Sequence, residues 1–351
     1  MSIETRKEAF VKLGDFLNKF IQQKDTELEV EEKLKPYAVQ LQKAVEDSIH
    51  YNGWFTKENI YFSLEQWANA LKKEKLENWL KSYSFSDKDP KTVAIIMAGN
   101  IPLVGFHDFL CVQLSGNKTL IKQSSNDKLL LPALLELLKF YAEDFNDSVE
   151  IAKEQLKDFD AVIATGSNNT ARYFEYYFSK KPHIIRKNRN SVAILTGKET
   201  SEELHKLGED IFRYYGLGCR NVSKLLVPEN YDFKTFFEAI YDWNPIINQH
   251  KYVNNYDYNK AVYLMSNQKL FDNNFLILKE DQNFASPIGC LFYEYYKNEE
   301  QLKNYLTEHT EDLQCVVSSK ENHISFGKTQ MPKLTDYADN VDTMAFLTNL
   351  S

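Results

Sequence analysis

Up to about residue 88, apolar positions recur at the three- and four-residue spacing of amphipathic helices, predicting helices near 5–23, 38–50 and 63–83. Ser63-Leu-Glu-Gln66 has the form of a capping box, in which the Ser hydroxyl and the Gln side chain satisfy two orphan backbone donors. From Lys91 the pattern changes. Apolar, β-rich runs at 92–97 (TVAIIM), 118–123, 160–165 and 191–195 alternate with helical stretches near 103–114, 128–144 and 169–179. That alternation predicts parallel strands joined by crossover helices. Beyond about 203, a second βα-rich lobe is expected to run to roughly 325, with strands at 224–228, 261–265 and 290–296. The predicted organisation is α/β. Residues 1–203 form a helical layer with a Rossmann-type domain, and 204–325 form a second α/β lobe.

Composition narrows the class of function. The 351 residues carry 42 Lys and Arg against 50 Asp and Glu, a net charge of −8. An acidic chain with interleaved lysines lacks the dense positive surface that phosphate neutralisation needs, which disfavours nucleic acid as a partner. Cys111, Cys219, Cys290 and Cys315 lie far apart with no Cys-x-x-Cys pair, so neither a zinc cluster nor a disulfide framework is indicated, and no metal is expected. The charged N-terminus lacks the apolar core of a secretory leader, and the least polar stretch, 92–117, is broken by Pro102, Gly105, His107 and Asp108. The chain reads as cytoplasmic, with no membrane span. The aromatic clusters at 173–178 and 293–296 read as packing.

Four segments carry candidate chemistry. In Tyr215-Gly-Leu-Gly-Cys-Arg-Asn221, Gly216 and Gly218 clear side-chain bulk from around Cys219, which marks it as a candidate nucleophile suited to acyl transfer through a thioester, with a buried small residue as the alternative. The other three cysteines sit in apolar runs and read as core. Asn100, in Ala98-Gly-Asn-Ile-Pro102 after the first strand, is placed to offer its amide to an oxyanion, or serves as turn chemistry. Lys122, Ser124 and Ser125 follow the next strand and suit a nucleotide's ribose or phosphate, with a solvated strand end as the alternative. Thr165, Gly166 and Ser167 close an apolar strand and open a helix whose first N–H groups would face a pyrophosphate, with an N-cap as the alternative. The Gly-x-Gly-x-x-Gly fingerprint is absent.

In this order the four segments resemble the aldehyde dehydrogenase superfamily, and more closely its LuxC-type acyl-CoA reductases. Asn100-Ile-Pro102 resembles the Asn-Phe-Pro loop, Gly116-Asn117 through Lys122 the Gly-Asn…Lys strand, Thr165-Gly166-Ser167 the Thr-Gly-Ser turn, and Cys219 the nucleophile. The runs 186–193, 216–222, 286–289 and 337–344 are similar to the reductase branch, so the resemblance spans about Lys91 to the C-terminus. It implies an aldehyde-dehydrogenase-like fold with a cofactor domain, a catalytic lobe, and a C-terminal segment, 326–351, that packs back or meets another subunit. The implied activity is NAD(P)H-dependent reduction of a fatty acyl thioester to an aldehyde through Cys219, with coenzyme A as leaving group. A homodimer or higher oligomer, and an acyl-donating partner protein, belong to the same implication.

Two departures from hydrolytic relatives bear on the chemistry. Aligning Gly197-Lys198 with the family's Glu-Leu-Gly-Gly-Lys run puts Ile194 where the deacylating Glu would stand, with Glu199 close by in sequence. Without that base, water attack on an acyl-enzyme is slow. The acid that grips the ribose hydroxyls in NAD-selective relatives corresponds to Ser125, which removes repulsion against a 2′-phosphate and favours NADPH while leaving NADH possible. Arg186, Lys187 and Arg189 add positive charge for that phosphate or for CoA, or form a solvated face. Ser286-Pro-Ile-Gly289 stands in place of the segment that holds the nicotinamide ribose. The rival readings are an aldehyde-oxidising dehydrogenase and a non-catalytic acyl- or nucleotide-binding protein.

Overall fold

Apolar, β-rich runs become the strands of two sheets in the computed structural model, which describes residues 2–24, 26, 29–85 and 89–350. The chain divides into one unit of residues 1–187 and 333–351 and another of residues 188–332.

The first unit opens with helices α1 (Ile3–Gln22), α2 (Lys35–Tyr51), α3 (Lys57–Ala70) and α4 (Lys73–Leu80). On α1, Phe10, Leu13, Leu17 and Phe20 are fully buried along one face at helical spacing. The Ser63 capping box does not form. α3 starts about two turns earlier because Thr56 is its N-cap, accepting from the Asn59 N–H, and Ser63 lies mid-helix with its hydroxyl on the Pro102 carbonyl at 3.0 Å. The single helix expected over 63–83 is the end of α3 followed by α4.

Then come β1 (Thr92–Ile96), α5 (Phe106–Leu114), β2 (Lys118–Lys122), α6 (Leu130–Tyr141), α7 (Phe145–Ser148), β3 (Val149–Ile151), β4 (Ala161–Thr165), α8 (Asn168–Phe178) and β5 (His183–Arg186). Among the described residues these strands form a parallel sheet in the order β3-β2-β1-β4-β5. Alternation divides its faces. Val93, Ile95, Ile121, Ala161 and Ile163 join the core built with α1 to α6, while Ala94, Leu120, Val162 and Ala164 pack with Phe159, Phe174 and Phe178. Burial on both faces is what a parallel sheet requires.

The second unit contains β6 (Asn190–Ile194), α9 (Ser201–Phe212), β7 (Val222–Pro228), α10 (Phe233–Ala239), α11 (His250–Met265), β8 (Leu270–Asp272), β9 (Ile277–Glu280), β10 (Cys290–Tyr296), α12 (Glu299–Glu308) and β11 (Leu313–Val317). Its sheet runs β11-β6-β7-β10-β9-β8, parallel except for the β8–β9 pair. The run at 191–195, expected in the first sheet, pairs instead with β7 and β11. The units therefore part at 187/188 rather than near 203. The strand expected at 261–265 is the end of α11. Gln249 caps that helix, and Tyr252, Tyr256 and Asn259 are buried at helical spacing along it.

The chain returns to the first unit at 333, not 326. Leu334 and Tyr337 join its helical core, as do Met344 and Leu347 of the final helix, α13 (Thr343–Thr348). The result is the expected α/β class, parallel sheets with a helical N-terminal layer. Among the described residues, no helix is long and apolar enough to cross a membrane, and no group of three His, Cys, Asp or Glu is placed to hold a metal.

Candidate functional site

The candidate residues of the first unit gather at the carboxyl ends of neighbouring strands. Ile96 is in register with Lys122 on one side and Ala164 on the other, so the loops after β1, β2 and β4 leave the sheet side by side. The strand order reverses direction between β1 and β4, and the crevice outside such a switch point is where open α/β sheets take nucleotides. Lys122 extends its ammonium to the Glu154 carbonyl at 2.9 Å. Ser124 accepts from the Asn126 N–H at 3.2 Å and lies against Gly99, where a Cβ would stand only 2.4 Å from the Ser124 Oγ. Ser125 is exposed. Thr165 ends β4, the Gly166 N–H donates to the Arg186 carbonyl at 3.3 Å, and Ser167 caps α8 by accepting from the Thr170 N–H at 3.3 Å. This donor set, one ammonium and several hydroxyls, suits the phosphates and ribose of a dinucleotide.

Asn100 is exposed, on a loop gripped from three directions. The Asn52 amide donates to the Gly99 carbonyl at 3.1 Å, Ser63 donates to the Pro102 carbonyl, and the Leu103 N–H donates to Asp127 Oδ2 at 2.8 Å. Leu103 has φ +58°, a left-handed conformation that a leucine holds only where its surroundings impose it. Burial pushes the Asp127 carboxyl up to about 6, against the opposing pull of the Leu103 N–H.

In the second unit, Cys219 lies in the turn between α9 and β7. Of the four cysteines, Cys219 is exposed and the other three are buried. Burial, then the Asp108 charge, raises the Cys111 thiol well above its ordinary value, and burial pushes Cys290 up to about 12. The approach to Cys219 is sharply bent, since Tyr214, Tyr215 and Gly216 have φ of 55°, 59° and 76°. The turn closes through Asn221 N–H to the Gly218 carbonyl and Gly218 N–H to Asn221 Oδ1, both at 2.9 Å. Asn221, 2% exposed, also donates its amide to the carbonyls of Asp210, Ile211 and Arg213 where α9 ends. The Cys219 carbonyl accepts from the Ser191 hydroxyl at 2.9 Å, and Arg220 Nε donates to the Thr329 carbonyl at 2.6 Å. The Asp210 carboxylate in turn accepts from the Gly327 N–H and from the Thr329 N–H and hydroxyl.

Several residues weighed for chemistry have other work. Arg186 is buried and ion-paired with Asp108, and donates to the Thr343 hydroxyl at 2.9 Å, so it belongs to the core and presents no charge to a phosphate. Lys187 pairs with Glu175 at 2.8 Å, and Arg189 donates to the Thr310 and Leu313 carbonyls, so the three cations form no cluster. Glu199 accepts from the N–H and hydroxyl of Thr196 with one oxygen and from the Gly197 N–H with the other, closing its own turn. Ile194 is buried in β6. In Ser286–Gly289, Gly289 has φ +80°, and a Cβ there would stand 2.9 Å from Tyr256 Cα. No motif in the sequence marks Asn52, Asp127 or Ser191 as functional, and Asn221 stands in the run around Cys219 with no chemistry of its own to reveal it.

The acyl-CoA reductase (LuxC) family profile matches residues 5–241, a span that holds Asn100, Lys122, Ser167 and Cys219. A search of curated proteins gave no match. Among solved structures, the NAD-dependent aldehyde dehydrogenase of Sinorhizobium meliloti gives a TM-score of 0.62 at 12% identity, over 94% of this chain and 72% of its own. The indole-3-acetaldehyde dehydrogenase AldA of P. syringae, in complex with NAD+, gives 0.61 at 14% identity over 92% and 73%. The NAD+ complex of the Bacillus cereus aldehyde dehydrogenase gives 0.62 at 13% identity over 92% and 72%. At such identities the likeness is one of fold. The chain belongs to the acyl-CoA reductase (LuxC) family, oxidoreductases acting at the aldehyde level, and it carries the aldehyde dehydrogenase fold.

Proposed function

We propose that this protein reduces a fatty acyl thioester, with CoA as the acyl carrier, to the aldehyde through a covalent thioester on Cys219. The observation that carries the reading is the exposure of Cys219 in a turn pinned by buried side chains, within the span matched by the acyl-CoA reductase family. The Cys219 thiolate attacks the thioester carbonyl carbon. Collapse of the adduct breaks the bond to the CoA sulfur, and CoA leaves as a thiolate that takes up a proton. The resemblance gives Asn100 and the Cys219 N–H the task of stabilising the oxyanion, where a single donor is worth about 10²–10³ in rate.

The residues after β1, β2 and β4 fit a nicotinamide dinucleotide, the ligand of the AldA and Bacillus cereus structures. Lys122, Ser124, Ser125, Thr165, Gly166 and Ser167 would hold it, and when bound it supplies the hydride that reduces the Cys219 thioester. Collapse of the resulting thiohemiacetal breaks the carbon–sulfur bond, returns the Cys219 thiolate and frees the aldehyde. The hydrolytic outcome is disfavoured, because Ile194 is buried where a deacylating base would stand and Glu199 spends both oxygens on its own turn. Ser125 carries no charge against a 2′-phosphate, which supports NADPH.

The test is NADPH oxidation with a series of acyl-CoAs, with free CoA measured separately and Cys219→Ala run beside the parent. CoA release coupled to NADPH consumption, both lost in the variant, is the expected result. Acid release from aldehyde and NAD+ at a comparable rate would overturn it in favour of the oxidising direction.

A further inference from the structure

The two backbone groups that flank Cys219 are each held by a buried side chain. The Gly218 N–H donates to Asn221 Oδ1, and the Cys219 carbonyl accepts from the Ser191 hydroxyl. Ser191 is fully buried, on β6, 28 residues before the cysteine it holds. The ladder beside it is irregular. In the β6–β7 ladder, Ser191 is in register with Val222 and Val192 with Lys224, so Ser223 is an extra residue on β7. Bulges of this kind re-aim side chains and recur beside active sites. Here the bulge turns the Ser223 hydroxyl onto the Phe284 carbonyl at 2.8 Å and, more distantly, onto the Ser191 carbonyl at 3.4 Å.

We infer that Ser191 is a positioning residue for the acylation step, fixing the peptide that follows Cys219 so that the sulfur and the Cys219 N–H face one carbonyl group together. The inference rests on the proposed function and adds to it a group that never touches substrate. A hydroxyl on a carbonyl constrains ψ of Cys219, while Asn221 constrains the residue before it. With both constraints, nucleophile and backbone donor move as one rigid piece. Freed on one side, the thiol stays exposed and reactive but loses its alignment with the donor. Acylation needs that alignment, whereas alkylation by a small electrophile does not.

The experiment is single-turnover CoA release from an acyl-CoA, run in parallel with iodoacetamide labelling of Cys219 read by peptide mass, on the parent and Ser191→Ala. Acylation is expected to fall about tenfold, with the half-saturating acyl-CoA concentration and the labelling rate changed less than about twofold. Ser191→Thr and Ser191→Val differ only in carrying a hydroxyl or a methyl, and they give a second hydroxyl deletion at the same site should the Ala variant not fold. The Thr form is expected to acylate faster than the Val form by a similar factor. Equal acylation in parent and hydroxyl-free variants overturns the inference, as does a loss of labelling as large as the loss of acylation. A parent that labels at Cys219 yet never acylates there refutes the proposed function itself, and the inference with it.

Discussion

The Asn52 side-chain amide donates to the Gly99 carbonyl at 3.1 Å, so the residue that ends α2 holds the loop that carries Asn100. The same side chain accepts from the Trp54 N–H at 3.1 Å, and Asn52 is only 6% exposed. Asn52→Ala therefore removes two hydrogen bonds made by a buried side chain, which costs about 1–3 kcal/mol of stability. Urea unfolding should show that loss. If Asn100 stabilises the oxyanion, CoA release should fall by a larger factor than acyl-CoA binding, because the loosened group is one that the transition state uses.

Native-state alkylation should single out one cysteine. Burial keeps the Cys111 thiol far above its ordinary range and pushes Cys290 to about 12, and Cys315 is buried, while Cys219 is exposed. At pH 8, iodoacetamide is expected to modify Cys219 alone until the protein unfolds, as read by peptide mass. Labelling of Cys111 or Cys290 at a matching rate would show that those segments open in the native state.

These relationships explain which parts of the molecule can be read from its sequence. β1, β2, β4, β7 and β10 show as apolar β-rich runs because burial on both faces of a parallel sheet leaves that mark on five to seven consecutive residues. The run AVYLM at 261–265 carries the same composition, but a helix capped at Gln249 extends through it and leaves Val262, Leu264 and Met265 exposed, so the run is not buried as a parallel strand would be. The place where the units part is invisible locally, because β5 and β6 are separated by three residues yet belong to different sheets. At the site, the glycines around Cys219 are legible. The groups that hold it are not, because Ser191, Asn221 and Asn52 act on backbone atoms, and a backbone atom has no residue type for a motif to record.

Two buried carboxyls make stability depend on pH in a defined direction. Burial raises both Asp127 and Asp210 from 3.8 to about 6, although each accepts backbone N–H groups that pull the other way. A folded-state value above the unfolded one means that the native protein binds more protons between those two values. The stabilising contribution is thus fully present below pH 3.8 and lost as pH rises through about 6. For each group the span corresponds to about 3 kcal/mol. Asp210→Asn removes one titrating group, so the difference between variant and parent in urea unfolding should change from pH 4.5 to pH 7.5. A constant difference would show that Asp210 does not titrate there.

Arg186 separates a structural charge from a recognition charge. Asp108 and Arg186 are 3% and 6% exposed, and Thr343 of the returning C-terminal segment completes the cluster. Removing one partner of such a pair strands the other charge in the core, a loss of about 3–5 kcal/mol. Arg186→Leu should accordingly lower the melting temperature steeply. Whatever protein remains folded should keep the parent's ratio of KM values for NADPH and NADH, since the guanidinium is buried against Asp108 and Thr343. A selective rise in the NADPH KM would reverse this assignment.

Ser125 offers the complementary test, because it is exposed beyond the end of β2, next to Ser124 and three residues after Lys122. Asp127, two residues on, turns one carboxylate oxygen to the Leu103 N–H and buries the other, so no exposed carboxylate stands in for the one that Ser125 lacks. Ser125→Asp would restore a carboxylate on an exposed loop, where the change in fold stability should be within about 0.5 kcal/mol. A bound ribose gains an acceptor for its hydroxyls, and a 2′-phosphate meets a like charge. The ratio of kcat/KM for NADPH to that for NADH should fall by about tenfold or more, with the acyl-CoA KM unchanged; a tenfold change is about 1.4 kcal/mol, the size of one unfavourable charge contact near a protein surface. An unchanged ratio would mean that the phosphate lies away from the end of β2, and that cofactor choice is made by groups other than Ser125.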